Sequence, residues 1–211
     1  MSDRNSGHPA LPWRRVHLVG IGGVGMAGIA HILRDLGVTV SGSDAAESGM
    51  VRTLRARGIE VSIGHDAAAV DGVDIVVYSN AVPESNPERR RALELGLPAR
   101  LRGAFLAELA TCFGRVVCVA GSHGKTTTTA MLAHILRGLG LDAGYLVGGS
   151  VTGWRRAAAA GDRSILVTEV DESDGTQALM CAALAVVTNV EDDHFWSLGG
   201  LAALEANFAE F

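Results

Sequence analysis

The stretch VCVAGSHGKTTTTAMLAHIL, residues 117–136, decides how the rest of the chain is read. Its opening residues are apolar and largely β-branched, the pattern of a buried strand. They run into a turn, Gly121-Ser122-His123-Gly124, and then Lys125 and four consecutive threonines open a helical stretch. β-branched residues lose side-chain freedom in a helix, so four together at a helix start are a cost that packing alone does not explain. Residues without a Cβ let the backbone present successive N–H groups to an anion. A lysine at the helix start neutralises charge on a terminal phosphate, and the Thr126 hydroxyl beside it can reach Mg²⁺. The full phosphate-loop pattern has a glycine six positions before the lysine, where Val119 stands, so this is a shortened variant suited to a polyphosphate.

A metal–phosphate site needs carboxylates from another strand of the same sheet. SILVTEVDESD, residues 164–174, supplies them: an apolar run, then Glu169, Asp171, Glu172 and Asp174 at the strand's C-terminal end. That end is where parallel α/β sheets bind ligands, and hard carboxylates there suit Mg²⁺, which keeps waters and takes one or two protein oxygens. The next strand, ALAVVTNV, brings Asn189, Asp193 and His194 to the same edge.

Upstream, the strand RRVHLVG leads into Gly20-Ile21-Gly22-Gly23-Val24-Gly25 and an amphipathic helix ending on Gly37. This is G-x-G-x-x-G between strand and helix, with Asp44 closing the following strand. Such glycines let the backbone approach a pyrophosphate at the positive end of a helix, while the carboxylate accepts from ribose or base donors. Taken alone the motif leans towards NAD, and a nicotinamide-dependent oxidoreductase is the rival reading. A helix over about 48–57 and strands at 59–63 and 73–79 continue a βαβαβ alternation, which predicts a parallel sheet covered on both faces. VPESNPERRRALELGLPA reads as a loop, an exposed helix whose ERRR is a solvated face, and another turn. LRGAFLAELATCFG reads as a connecting helix, and a domain boundary falls near Phe113.

Composition limits the alternatives. The formal net charge of −5 argues against a broad nucleic-acid surface, though not against a local phosphate site. No apolar run reaches the length of a spanning helix and the polar first residues are no signal peptide, which points to a soluble, cytoplasmic protein without a membrane partner. Cys112, Cys118 and Cys181 have no CxxC spacing and read as buried small hydrophobes, and His17, His31 and His134 as structural. The helical pattern over 197–211 stops without a C-terminal signal, which suggests a fragment.

Together, HLVGIGGVGMAGIA with VSGSD, IGHDA, VVYSNAV, AGSHGKTTTTAMLAHIL, TEVDESD and VVTNVEDDH resemble the Mur ligase family, in the family's order over most of residues 16–194. The resemblance implies an α/β chain. A disordered tail (1–14) precedes a Rossmann-like parallel-sheet domain holding a UDP group (15–112), followed by the first part of a P-loop-type ATPase domain (113–211). The first glycine loop would then hold a UDP diphosphate rather than NAD, with Gly20, Gly22, Gly23, Val24, Gly25, Ser43, Asp44, His65, Ser79 and Asn80 on the substrate side. ATP would lie on Gly121, Ser122, His123, Gly124, Lys125, Thr126, Thr127 and Asn189. Thr126, Glu169 and His194 would hold Mg²⁺, and Lys125, Glu169 and His194 would carry the chemistry. The implied reaction joins L-alanine to the carboxylate of UDP-N-acetylmuramate through an acyl phosphate. The alternative within the family joins a recycled tripeptide instead. For this chain alone the expectation is UDP-sugar binding without turnover.

Overall fold

The computed structural model describes residues 10–171, 176–191, 208–209 and 211. The first half forms a five-stranded sheet of order β3-β2-β1-β4-β5, every neighbouring pair parallel. Its strands are β1 (Arg15–Val19), β2 (Thr39–Asp44), β3 (Glu60–Ile63), β4 (Ile75–Tyr78) and β5 (Ala99–Leu101). Helices α1 (Val24–Asp35), α2 (Gly49–Ala56) and α3 (Pro87–Glu94) connect them, and α4 (Arg102–Ala110) leads out of the sheet. Local chemistry sets the helix starts. The Ser48 hydroxyl accepts from the Val51 N–H at 3.1 Å, and Asn86 Oδ1 accepts from Glu88 and Arg89 N–H groups at 2.9 and 3.2 Å, with Pro87 in the first turn.

The second half builds another five-stranded sheet. Its elements are β6 (Arg115–Ala120), α5 (Lys125–Gly138), β7 (Gly144–Leu146), β8 (Ala158–Ala159), β9 (Ile165–Glu169) and β10 (Leu184–Val187). The strand order is β10-β6-β9-β7-β8, parallel except for the β7–β8 pair. The chain is therefore a Rossmann-like sheet domain followed by a second α/β unit, as the alternating pattern predicts.

The two sheets share one apolar core. Phe105 and Leu109 of α4, fully buried, lie in a cluster with Leu18 and Ile29 of the first half and with Cys118 and Leu166 of the second. The far end of α1 docks on the second sheet through Asp35. This carboxylate takes Arg57 at 2.7 Å, Arg156 at 2.9 and 3.0 Å, and the Ala160 N–H at 3.2 Å. Burial alone would raise its carboxyl, but those hydrogen bonds outweigh it and hold Asp35 below the usual carboxylate range.

His31 lies beside this bridge, 3 % exposed, its Nδ1 accepting from Arg57 Nη1 at 2.9 Å. Burial, then the Arg57 and Arg156 cations, pulls it down from 6.5 to about 4. The folded protein thus keeps His31 neutral while the unfolded chain protonates it, so stability is full above pH 6.5 and falls as pH drops towards 4. Urea unfolding at pH 7 and pH 5 is expected to show about 1–2 kcal/mol of loss that disappears in His31→Gln. An equal loss in the variant would remove His31 as the cause.

Several expectations need correction. Trp13, assigned by sequence to the disordered tail, is buried with its ring 4.7 Å from that of Phe105, because the first strand's apolar run needs a cover at its start. The ERRR segment is not a solvated face throughout, since Glu88 is fully buried. Cys181 is exposed, not buried, because the strand that follows it, β10, lies at a sheet edge where Leu184 and Val187 are exposed too. Strand β5 begins where a turn was expected. Residues 1–9 of the expected tail and most of the expected C-terminal helix lie outside the described residues.

Candidate functional site

Parallel strands bring their C-terminal ends to one edge, and in the first sheet that edge collects the predicted substrate residues. The Gly20 and Ile21 N–H groups donate to the Ser43 carbonyl at 2.8 and 3.0 Å, folding the loop back over β2. Gly20 has φ +76° there, with Ser79 Oγ 3.3 Å from where a Cβ would stand. The Gly22 N–H donates to Asp44 Oδ2 at 2.8 Å, so one oxygen of Asp44 braces the loop, while Oδ1 accepts from the Ala46 N–H at 3.3 Å. Gly23 caps α1 without any side-chain bond, and Gly23 and Val24 are exposed. The helix therefore presents its positive end at the surface, the arrangement that receives a phosphate. His65 and Ser79 are half-buried at this edge and Asn80 is exposed. Ser43 is different. It is fully buried beneath the edge, its hydroxyl donated to Glu88 at 2.6 Å.

The second edge holds the lysine loop between β6 and α5. Gly121 has φ +128°, and a Cβ would overlap Thr188 Oγ1. Gly124 caps α5 in the left-handed region, φ +83°. Asn189 is a brace rather than an outward-facing ligand: its Oδ1 accepts from the His123 N–H at 2.9 Å and its Nδ2 donates to the His123 carbonyl at 3.2 Å. The Ser122 N–H donates to the Asn189 carbonyl at 3.0 Å, and the buried Ser122 hydroxyl accepts from the Glu191 N–H at 2.8 Å. Two of the loop amides expected to face phosphate, those of Ser122 and His123, are thus engaged within the protein. The helix amides that remain lie in the first turn of α5, whose bonding to the preceding turn begins only with Thr128 to Gly124 at 2.9 Å. Lys125 Nζ lies over this loop, donating to the Gly121 and Ser122 carbonyls at 2.6 and 3.3 Å. Thr126 is half-buried beside it and Thr127 is exposed.

The two edges open on one space. A cavity of about 320 Å³ is lined by Gly25 of the first loop and by Lys125, Glu169 and Asp171 of the second sheet, with Arg102 between them. Glu169 closes β9 in register with Val119 of β6, one residue before the end of that strand. Its Oε2 is buried without a hydrogen-bond partner among the described residues. A buried carboxylate oxygen without a partner is costly, and a cation is what relieves it. Glu169 with Thr126 offers a hard, oxygen-only pair, which fits Mg²⁺ that completes its shell with phosphate and water. No group of three or more His, Cys, Asp or Glu side chains gathers around a point among the described residues. His194, the third expected metal ligand, lies outside the described residues, as do Asp193, Glu172 and Asp174.

Three contributors escaped the sequence reading. Arg102 opens α4 and pairs with Asp171 at 3.0 Å, and its guanidinium lies 2.8 Å from a Cβ built on Gly25. The available signal was electrostatic, since an arginine in the first turn of a helix opposes the macrodipole and calls for another reason to be there. Gly148 approaches Glu169 so closely that a Cβ would overlap the carboxylate. Glu88, buried under the first edge, gave no signal distinguishable from an ordinary acidic first turn.

The model of the Mur ligase family catalytic domain matches residues 15–113, and that of the Mur ligase middle domain matches residues 119–211. UDP-N-acetylmuramate–L-alanine ligase of Sorangium cellulosum is 47 % identical over 199 residues, covering 94 % of this chain and 42 % of that protein. The crystal structure of UDP-N-acetylmuramate–alanine ligase from Thermotoga maritima superposes with a TM-score of 0.86 at 30 % identity, over 93 % of this chain and 46 % of that one. The UDP-N-acetylmuramate:L-alanyl-gamma-D-glutamyl-meso-diaminopimelate ligase of Neisseria meningitides gives 0.84 at 33 % identity, over 93 % of this chain and 67 % of that one. The chain thus spans about 42 % of the length of the curated relative it matches. With both family models matched in sequence order, this chain belongs to the Mur ligase family.

Proposed function

We propose that residues 15–112 bind a UDP-sugar and residues 113–211 bind the phosphates of ATP, as parts of a ligase that joins L-alanine to the carboxylate of UDP-N-acetylmuramate. One observation carries the reading: Gly25, at the mouth of the first loop, and Lys125 with Glu169, at the second, line a single cavity. A carboxylate is a poor electrophile with a poor leaving group, so it must be activated. Attack of its oxygen on the γ-phosphorus of ATP forms the acyl phosphate and releases ADP. The amine of L-alanine then adds to the acyl carbon, the tetrahedral intermediate loses inorganic phosphate and a proton, and the amide remains.

Two anions meet in the first step, and fixed positive charge between them is what lowers the barrier. Lys125 holds the ATP phosphates at the start of α5, and the α1 N-terminus behind Gly23 holds the diphosphate of the sugar nucleotide. Arg102, held by Asp171 between the two loops, orients the acid that is to be phosphorylated. Glu169 and Thr126 would hold Mg²⁺, which supplies charge neutralisation at the phosphates when bound. His123 and Thr127 line the approach to the ATP side, and Ser122 and Asn189 keep the loop in shape.

Calorimetry with UDP-N-acetylmuramate and with NADH tests the reading, on this chain and on Asp44→Ala. The expected result is saturable UDP-N-acetylmuramate binding, weakened about 10-fold in the variant because Asp44 braces Gly22, and no NADH binding. Tight NADH binding without a UDP response would reverse it. The likeness to the Neisseria ligase favours a second reading of the amine only. Competition between L-alanine and a tripeptide in ADP formation by the full-length enzyme separates the two.

A further inference from the structure

We propose that Glu88 is a positioning residue: a buried carboxylate that fixes the orientation and tautomer of His65, so that His65 Nε2 offers a hydrogen-bond acceptor to the nucleoside of the ligand bound at the first sheet edge. The inference rests on the UDP-sugar reading above.

The argument begins with how Glu88 is aimed. Asn86 caps α3 and Pro87 opens it, which puts Glu88 in the helix's first turn. Arg89 pins the same turn, its guanidinium 4.0 Å from the Tyr78 ring centre and Nη1 donating to the Val82 carbonyl at 2.7 Å. With the helix fixed in rotation, Glu88 points inward and is fully buried under the edges of β1 and β2. Its Oε2 accepts from the Ser43 hydroxyl at 2.6 Å and lies 3.1 Å from His65 Nδ1. His65 Nδ1 is also 3.0 Å from Ser43 Oγ.

Counting protons settles the tautomer. Ser43 has one hydroxyl hydrogen, and it goes to Glu88, so at Nδ1 both neighbours are acceptors. The ring proton must therefore sit on Nδ1, and neutral His65 carries its lone pair on Nε2. None of the hydrogen bonds of His65 among the described residues uses Nε2, and the side chain is 26 % exposed at the edge that also carries Asp44 and Ser79. A pyrimidine ring N–H or a ribose hydroxyl is the kind of donor that such an acceptor takes.

The second oxygen of Glu88 faces another imidazole. Oε1 faces His17 Nε2 at 3.6 Å, and neither atom has a hydrogen-bond partner among the described residues. His17 is itself held by Ser41 Oγ at 2.9 Å from Nδ1. Burial by itself would raise the Glu88 carboxyl, but His17, Ser43 and His65 outweigh it and keep Glu88 below its ordinary range. An apolar residue would fill this space at lower cost, since buried charges bring a desolvation penalty. The same Ser43 whose hydroxyl joins the network gives its carbonyl to the Gly20 and Ile21 amides, so the network and the glycine loop are one assembly.

The test uses nitrogen-15 NMR of the histidine rings together with calorimetric titration of UDP. In the wild type, His65 is expected as the Nδ1–H tautomer, and UDP binding is expected to shift its Nε2 resonance. Glu88→Gln is expected to mix the tautomers and weaken UDP binding about 10-fold, with circular dichroism unchanged. His65→Ala added to Glu88→Gln should weaken binding less than about 2-fold further, because both changes remove one contact. An Nε2–H tautomer in the wild type, unchanged UDP affinity in Glu88→Gln, or fully additive losses would each overturn the proposal. Should Glu88→Gln fail to fold, the wild-type tautomer and the Nε2 shift decide it. Failure of the wild type to bind UDP would sink the UDP-sugar reading instead, and the tautomer would still report whether Glu88 fixes the ring.

Discussion

Lys125→Ala is expected to weaken Mg-ATP binding about 10- to 100-fold, the cost of losing a charge-assisted contact to phosphate, while UDP binding stays within about 2-fold because the two contacts are independent. The asymmetry follows from placement. Lys125 starts α5 beside the second sheet and donates to the loop carbonyls of Gly121 and Ser122. A lysine resting on carbonyl oxygens gives them up for a phosphate, whose charge is larger and whose oxygens are stronger acceptors. Alanine also leaves those carbonyls to water, so the variant should fold normally. Paired titrations with Mg-ATP and with UDP check the prediction. Equal loss at both ligands would mean that the lysine acts on the fold and not on a phosphate.

Gly121→Ala is expected to destabilise the chain by about 2–4 kcal/mol, combining backbone strain with overpacking, and to abolish measurable Mg-ATP binding. At φ +128° the residue sits where L side chains are strained, and its Cβ would overlap Thr188 Oγ1 and approach the Asn189 carbonyl to 2.7 Å. That carbonyl cannot retreat without breaking its bond from the Ser122 N–H at 3.0 Å, and the loop between β6 and α5 would open. Gly138, at the other end of α5 with open space around it, is the control. Gly138→Ala is expected to be neutral or to stabilise by up to about 1 kcal/mol through helix propensity. Urea unfolding of both variants separates a steric requirement at Gly121 from a general cost of adding a methyl group.

What the sequence disclosed, it disclosed where chemistry is local. Gly20, Gly22 and Gly25 sit between a strand and a helix within one short window, and the lysine loop does the same, so both strand–loop–helix turns were legible before any fold was known. The place of Glu169 at the end of its strand was legible because an apolar run leads directly into crowded carboxylates. The rest depended on distance in the fold. Asn189 was placed at the correct edge, yet spacing could not reveal that its amide turns back onto His123. Glu88 looks like any acid in a helical charge run until β1, β2 and the segment after β3 converge on it. Strand β8 is two residues in an alanine-rich segment and exists only because β7 lies beside it. Cys181 shows the converse, an apolar run left exposed beside an edge strand.

The central claim is that the two anion cradles serve one reaction space, and manganese relaxation tests it most directly. With Mn-ADP bound at the Glu169 side and carbon-13-labelled UDP-N-acetylmuramate at the glycine-loop side, paramagnetic broadening should be strongest at the lactyl carboxylate and weakest at the uracil ring. Uracil signals broadened more than the carboxylate, or no broadening at any carbon with both ligands bound, would contradict it.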